Sequence, residues 1–136
     1  MKYPTDLEIL KFIHDEYFDE FCRYDLHENI RSSKIYISID CRKVAENFDT
    51  NGDIIFGRLY YDIGNRYSYE TSDKSKVSLF ALKVGGDMHC IHFPYLSSVV
   101  SDLRHQNNKT RFTLIASFAA VTISLASLIV AVLDKL

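Results

Sequence analysis

Along the first hundred positions apolar residues come in short, interrupted groups. After residue 111 they come in one unbroken block. The first group, Leu7, Leu10, Ile13 (or His14), Tyr17 and Phe21, with Ile9, Phe12 and Phe18 beside it, has the three-to-four spacing of an amphipathic helix. Thr5 and Glu8 form a capping box ahead of it, and Asp6 suits the positive end of the helix dipole. A helix from Asp6 to Tyr24 is predicted, with Asp15, Asp19 and Glu20 in water. A polar stretch over 25–34 leads to Ile35–Ile39, whose β-branched and aromatic composition predicts a short strand. Asp40 then caps a short helix through Phe48. After the turn Asp-Thr-Asn-Gly-Asp, Asp53 is expected to cap a third helix. That helix points Ile55, Leu59 and Ile63 inward and Arg58, Tyr61, Asp62, Asn65 and Arg66 outward, and Gly57 and Gly64 weaken it. Val77–Val84 and Met88–Phe93 read as two strands joined by Gly85-Gly86-Asp87, and Pro94 ends the second. Leu96–His105 reads as a further helix, followed by a polar joint to Thr110.

The closing block, Phe112–Leu133, holds 22 residues without a charge, Pro, Gly, Asn or Gln. As a helix it rises about 33 Å, enough for a hydrocarbon layer of about 30 Å. Its polar residues (Thr113, Ser117, Thr122, Ser124, Ser127) are hydroxyls that can bond back to their own helix. A transmembrane helix is expected. Arg104, Lys109 and Arg111 precede it and Lys135 alone follows, which places the preceding domain in the cytoplasm and gives a single-pass, tail-anchored arrangement. Ala116, Ala120, Ser124, Ser127 and Ala131 recur every three or four positions as a stripe of small residues, a pattern that favours close helix–helix packing and hence a homo-oligomer.

The order helix, short strand, helix-turn-helix, β-hairpin resembles a winged helix-turn-helix domain. The expected fold class is therefore α+β: a winged-helix-like cytoplasmic domain over 1–94, a juxtamembrane helix and joint over 95–111, and a transmembrane helix over 112–133. The resemblance implies that the third helix would read DNA and the hairpin would serve as the wing. Charge opposes that use. The chain carries a net −2, Asp53 and Asp62 dilute Arg58 and Arg66, and Lys83 is the only cation of the hairpin's first strand. Nucleic acid is disfavoured as a partner. Tyr and Arg together favour protein contacts instead, so Arg58, Tyr61, Asn65, Arg66 and Tyr67 are the candidate partner-binding residues, with Tyr60 assigned to the core.

Other chemistry is thin. Cys22, Cys41 and Cys90 have no paired spacing and point to reduced thiols. The Asp49–Asn51–Asp53 alternation begins like a calcium loop but lacks its later glycine and glutamate. In Met-His-Cys-Ile-His, Cys90 and His92 share one side of a strand without two further zinc ligands. No phosphate loop or nucleophile motif occurs, so no enzyme and no cofactor is expected. The leading reading is a membrane-anchored module that binds a cytoplasmic protein partner, in contact with membrane lipid. Two others stand beside it: a membrane-acting toxin or effector of a bacterial phage-defence or toxin–antitoxin system, and a membrane-tethered transcription regulator.

Overall fold

The computed structural model describes residues 3–25 and 31–135; positions 26–30 of the polar stretch after the first helix lie outside the described residues. The chain is α+β and divides into two compact units, Met1–Ser101 and Asp102–Leu136.

In the first unit, α1 (Asp6–Cys22) starts with the expected capping box: Glu8 N–H donates to Thr5 Oγ1 at 3.2 Å, and Thr5 N–H donates to Glu8 Oε2 at 2.8 Å. A 3₁₀ turn, Arg23–Asp25, follows it. The open carbonyls of the last turn are met by Arg31, whose guanidinium donates to Glu20 O and Phe21 O and lies over the rings of Phe21 and Tyr24. The buried stripe is Ile9, Leu10, Ile13 and Tyr17. It is narrower than the apolar pattern implied, and Phe18 is left exposed.

β1 (Tyr36–Ser38) and α2 (Cys41–Asn47) follow, with the Asp40 carboxylate accepting from the Arg42 and Lys43 amides. Helix α3 is built of Gly52–Gly57, a π-helical stretch Arg58–Ile63, and Gly64–Arg66. Its cap is Asn51 and not Asp53: the backbone is still extended at Asn51, whose Oδ1 accepts from Asp53 N–H at 2.7 Å. Asp53 therefore falls in the first turn, where its carboxylate faces the positive end of the dipole. Ile55, Leu59 and Ile63 are buried as the pattern required. Gly64 has a packing role. Its N–H bonds to Leu59 O, five residues back, and a Cβ there would sit 2.6 Å from that oxygen and 3.2 Å from Phe80 Cβ.

Two sheets complete this unit. β2 (Ser68–Glu70) and β3 (Lys76–Ser78) form an antiparallel pair, and β4 (Phe80–Val84) and β5 (Asp87–His92) join β1 in the order β1-β5-β4. The strand expected over Val77–Val84 is thus divided at Leu79. That buried residue donates its N–H to Tyr67 O and accepts from His92 N–H, so it belongs to both ladders. Gly85, at φ 59°, turns the β4–β5 hairpin, and Ser32 holds the turn by accepting from Gly86 N–H and donating its own amide to Asp87.

Helix α4 spans Phe93–Leu133. Its first turns bury Phe93, Leu96, Val99 and Val100, with the Phe93 ring stacked 4.5 Å from Phe21 and 5.3 Å from His14. The polar stretch 105–110, expected as a joint, is helical. It contains neither Gly nor Pro, exposed Asn and Gln lower helix stability only by tenths of a kcal/mol each, and Thr110 bonds back to Gln106 O.

Candidate interaction surfaces

In the second unit α4 is long and apolar enough to cross a membrane, with none of its most apolar window buried by protein. Phe112, Leu114, Ile115, Phe118, Ile123 and Leu125 are all exposed. The hydroxyls of Thr113, Ser117, Ser124 and Ser127 donate to the carbonyl four residues earlier, and Thr122 to the one three earlier. Each polar side chain of the span thus has its proton committed within the helix, which makes it inexpensive in hydrocarbon. Ala116, Ala120, Ser124, Ser127 and Ala131 are exposed along the helix, as are the flanking Arg104, Lys109, Arg111 and Lys135.

Four of the five candidate residues lie on α3 and Tyr67 follows its last residue, and their surroundings differ. Arg58 donates to Pro4 O and pairs with Asp6, both at 2.6 Å. Arg66 takes the second oxygen of Asp6 at 2.6 Å and also pairs with Asp62. Asp6, read from sequence as a dipole partner, is thus a two-arginine clamp that ties the start of α1 to α3. The two carboxylates hold the Arg66 guanidinium far above its already high ordinary pKa. Tyr61 is 71 % exposed, and its carbonyl accepts from Asn65 Nδ2. Tyr67 is half-buried with the Arg66 guanidinium 5.8 Å from its ring. The more open neighbours of Tyr61 are Ile54, exposed, and Gly57, with no atom within 4 Å of where a Cβ would stand. Neither was read from sequence as a contact residue, although the spacing 54, 57, 61 is helical. Tyr60, expected in the core, is exposed, although it stacks on Phe56 at 5.6 Å and meets Phe80 edge-on.

The thiols and histidines have structural surroundings. Cys41 and Cys90 are buried and Cys22 is exposed, all as free thiols. Burial pushes the Cys41 thiol up to about 11 and raises Cys90, so neither is a thiolate near neutrality. Cys90 and His92 do share one face of β5. His89 projects to the other, its ring 5.1 Å from Phe56, at a backbone φ of 53°. It borders a cleft of about 490 Å³ with Asp40, Cys41, Arg42 and Asp53. Burial lowers the His92 pKa, and its Nδ1 accepts from Tyr95 N–H at the start of α4. No group of three or more potential metal ligands occurs among the described residues.

A second cleft, of about 550 Å³, runs between α3 and the strands, lined by Tyr60 and Asn65 on one side and by Lys76, Ser78, Leu82 and Lys83 on the other. In the sequence it shows only as two lysines bracketing the run Val77–Leu82. Comparison with protein-family models, with curated proteins and with solved structures finds no match.

Proposed function

We propose that the chain is a single-pass membrane protein whose cytoplasmic head is a winged-helix-type module for binding a partner protein. The observation that carries the anchor is an apolar helix with no protein over it. Flanking charge supports the orientation, with three cations before the span and one after it. Strand order β1-β5-β4, with two helices between β1 and the hairpin, supports the winged-helix arrangement. The β2–β3 pair inserted after α3 is an addition to it.

Binding of protein rather than DNA is supported by the state of α3. Its two arginines are committed to carboxylates, so few guanidinium donors are left for phosphates. What remains outward is Ile54, Gly57 and Tyr61, a surface suited to an apolar contact. Self-association through Ala116, Ala120, Ser124, Ser127 and Ala131 would add avidity. Hydroxyls bonded into their own helix support an anchor over a pore-lining effector, which would need free polar groups toward a lumen.

The test is photo-crosslinking from a benzoylphenylalanine at position 61 of the full chain in cells, with the membrane pellet extracted at alkaline pH. A carbonate-resistant chain crosslinked to protein is expected. A chain released into the soluble fraction overturns the anchor. Salt-sensitive retention on random-sequence DNA, lost in Arg58→Ala, overturns the protein-binding reading in favour of a tethered DNA-binding regulator.

A further inference from the structure

A group of polar side chains lies where α1 meets the first turns of α4. His14 Nδ1 stands 3.2 Å from Asp15 Oδ1, and His14 Nε2 stands 3.1 Å from Ser97 Oγ. Rings hold the imidazole in place: it is stacked 5.3 Å from Phe93 and tilted 5.6 Å from Phe18. Lys11 bonds to the other oxygen of Asp15 at 2.5 Å, and that bond, with the one to His14, holds the Asp15 carboxyl below its ordinary value. An ionised carboxylate only accepts, so in the neutral ring Nδ1 carries the proton and Nε2 turns a lone pair to the Ser97 hydroxyl. No motif announces this grouping, because Ser97 lies 83 positions beyond His14.

Hydroxyl, base and orienting carboxylate at these separations are the arrangement that activates a serine for attack. The hydroxyl has one competing acceptor, Phe93 O in its own helix, which at 3.3 Å is farther away and less basic than Nε2. Ser98 is a contrast one residue on: its hydroxyl donates to Pro94 O, and no histidine bonds to it among the described residues. The other half of a hydrolase is missing from this turn. Phe93 N–H donates to Ile35 O, Pro94 has no N–H, and Tyr95 N–H donates to His92 Nδ1. From Ser97 onward the amides belong to the helix ladder. No pair of free amides is left to hold an oxyanion.

That combination selects the chemistry. With a base but no oxyanion hole, the attack needs an electrophile that arrives already activated. The hydrogen-bond partners of Ser97 include no cation to take the charge of a phosphoryl group. The exposed Phe18 ring beside His14 offers an apolar shelf instead. We infer that Ser97 is an acyl acceptor, which takes an apolar acyl group from an acyl thioester and keeps it. Ser97 Oγ bonds to the thioester carbon, the C–S bond breaks, and the hydroxyl proton passes through His14 Nε2 to the departing thiolate. The products are an oxygen ester on Ser97 and a free thiol. That ester is the poorer electrophile, because its leaving group is an alkoxide, and nothing in the turn offsets the difference. The serine therefore stays modified. This inference goes beyond the partner-binding reading and does not depend on it.

The probe is the octanoyl thioester of N-acetylcysteamine, given to the full-length chain in nanodiscs. Adducts are located by tandem mass spectrometry, after neutral hydroxylamine has stripped acyl groups from thiols such as the exposed Cys22. Ser97 should be acylated about a hundredfold faster than Ser98, the lower end of what a positioned base contributes. His14→Gln keeps an acceptor for the hydroxyl but cannot take its proton, and should bring Ser97 down to the rate of Ser98. Asp15→Asn, which no longer fixes the tautomer, should give a smaller loss. Imidazole added to His14→Ala should restore part of the rate, which a merely structural histidine would not allow. Equal acylation of Ser97 and Ser98, or a Ser97 rate that ignores His14→Gln, overturns the inference. So does octanoate released in molar excess over the chain and lost in Ser97→Ala, which would make the site a hydrolase.

Discussion

Ile63 and Ile115 are the same side chain, each on a helix of the same chain, yet one is 0 % exposed and the other 68 %. Around Ile63 lie Leu59 and the rest of a core that closes on itself. Ile115 lies in a stretch of helix with no buried residue. Burying an isoleucine is worth about 1.5–3 kcal/mol wherever the covering surface comes from. In the head that surface is supplied by other elements of the fold; no protein lies over the apolar stretch of α4, and on the proposed reading its cover is hydrocarbon. Hydropathy thus says that a residue needs cover, and only the distribution of counter-surface says whether the cover is protein or lipid.

The comparison can be pressed hardest with one substitution made twice. Phe93→Ala removes a fully buried ring stacked on Phe21 and His14, and should lower stability by about 3–5 kcal/mol. Phe118→Ala removes a ring that touches no core and should leave thermal unfolding of the head unchanged. Equal melting shifts in detergent would show that the two regions do not differ as described. The converse is Leu125→Arg, mid-span, with a membrane penalty of about 3 kcal/mol. It should shift the chain out of the carbonate-resistant fraction while the head melts as before.

The two glycines of α3 sharpen the comparison inside the head. Gly64→Ala forces a Cβ against Leu59 O and Phe80, and should destabilise by roughly 1–3 kcal/mol. Gly57→Ala meets open space in a helical backbone and should stabilise by about 0.4–1 kcal/mol. Chemical denaturation of both variants in the full chain decides it. Asp6→Asn releases both arginine pairs. Because Arg58 and Arg66 are partly exposed, the loss should be only about 1 kcal/mol, and it should shrink as salt rises.

The smallest effect expected is a pH dependence. Burial holds the His92 imidazole below its ordinary value, so on acidification the unfolded chain takes up a proton before the folded one does. Its contribution is therefore intact above about pH 6.5. It declines as pH falls through that value and levels off below the depressed folded value. Protonation would also end Nδ1's acceptance of the Tyr95 amide. Melting temperatures compared between pH 7 and pH 5 should show a decline that His92→Asn, a capping residue without a titration, removes.

Local chemistry was well marked in the chain. Thr5 with Glu8, Asp40 before its short helix, the β-branched run at Ile35–Ile39 and the two glycines of the hairpin each act over three or four residues and leave a pattern. The β2–β3 pair left none. Its sequence, Ser-Tyr-Glu-Thr-Ser-Asp-Lys-Ser-Lys-Val-Ser, lacks apolar alternation. Its turn is held by Thr71, Asp73 and Ser75 bonding among themselves. Asn51 and Asp53 are both good caps two positions apart, so the helix start was ambiguous by one side chain. Arg58 and Arg66 read as outward because a helical wheel has no knowledge of Asp6, more than fifty positions earlier.

The π stretch in α3 carries a consequence for tolerance to insertion and deletion. Ile55, Leu59 and Ile63 are spaced by four. In a regular helix of about 100° per residue that spacing drifts by about 40° at each step, so the three would spread over about 80° of the helix face. The wider turns of Arg58–Ile63 rotate less per residue and bring Ile63 and Gly64 back over Phe80. Removing one residue there would relax the stretch into an ordinary helix with every backbone bond intact. It would also leave Ile63 three positions after Leu59, about 60° round the axis from it in a regular helix, and so turn Ile63 off the line it shares with Leu59. The extra residue works as a phase correction, and this segment should accept changes of side chain far more readily than changes of length.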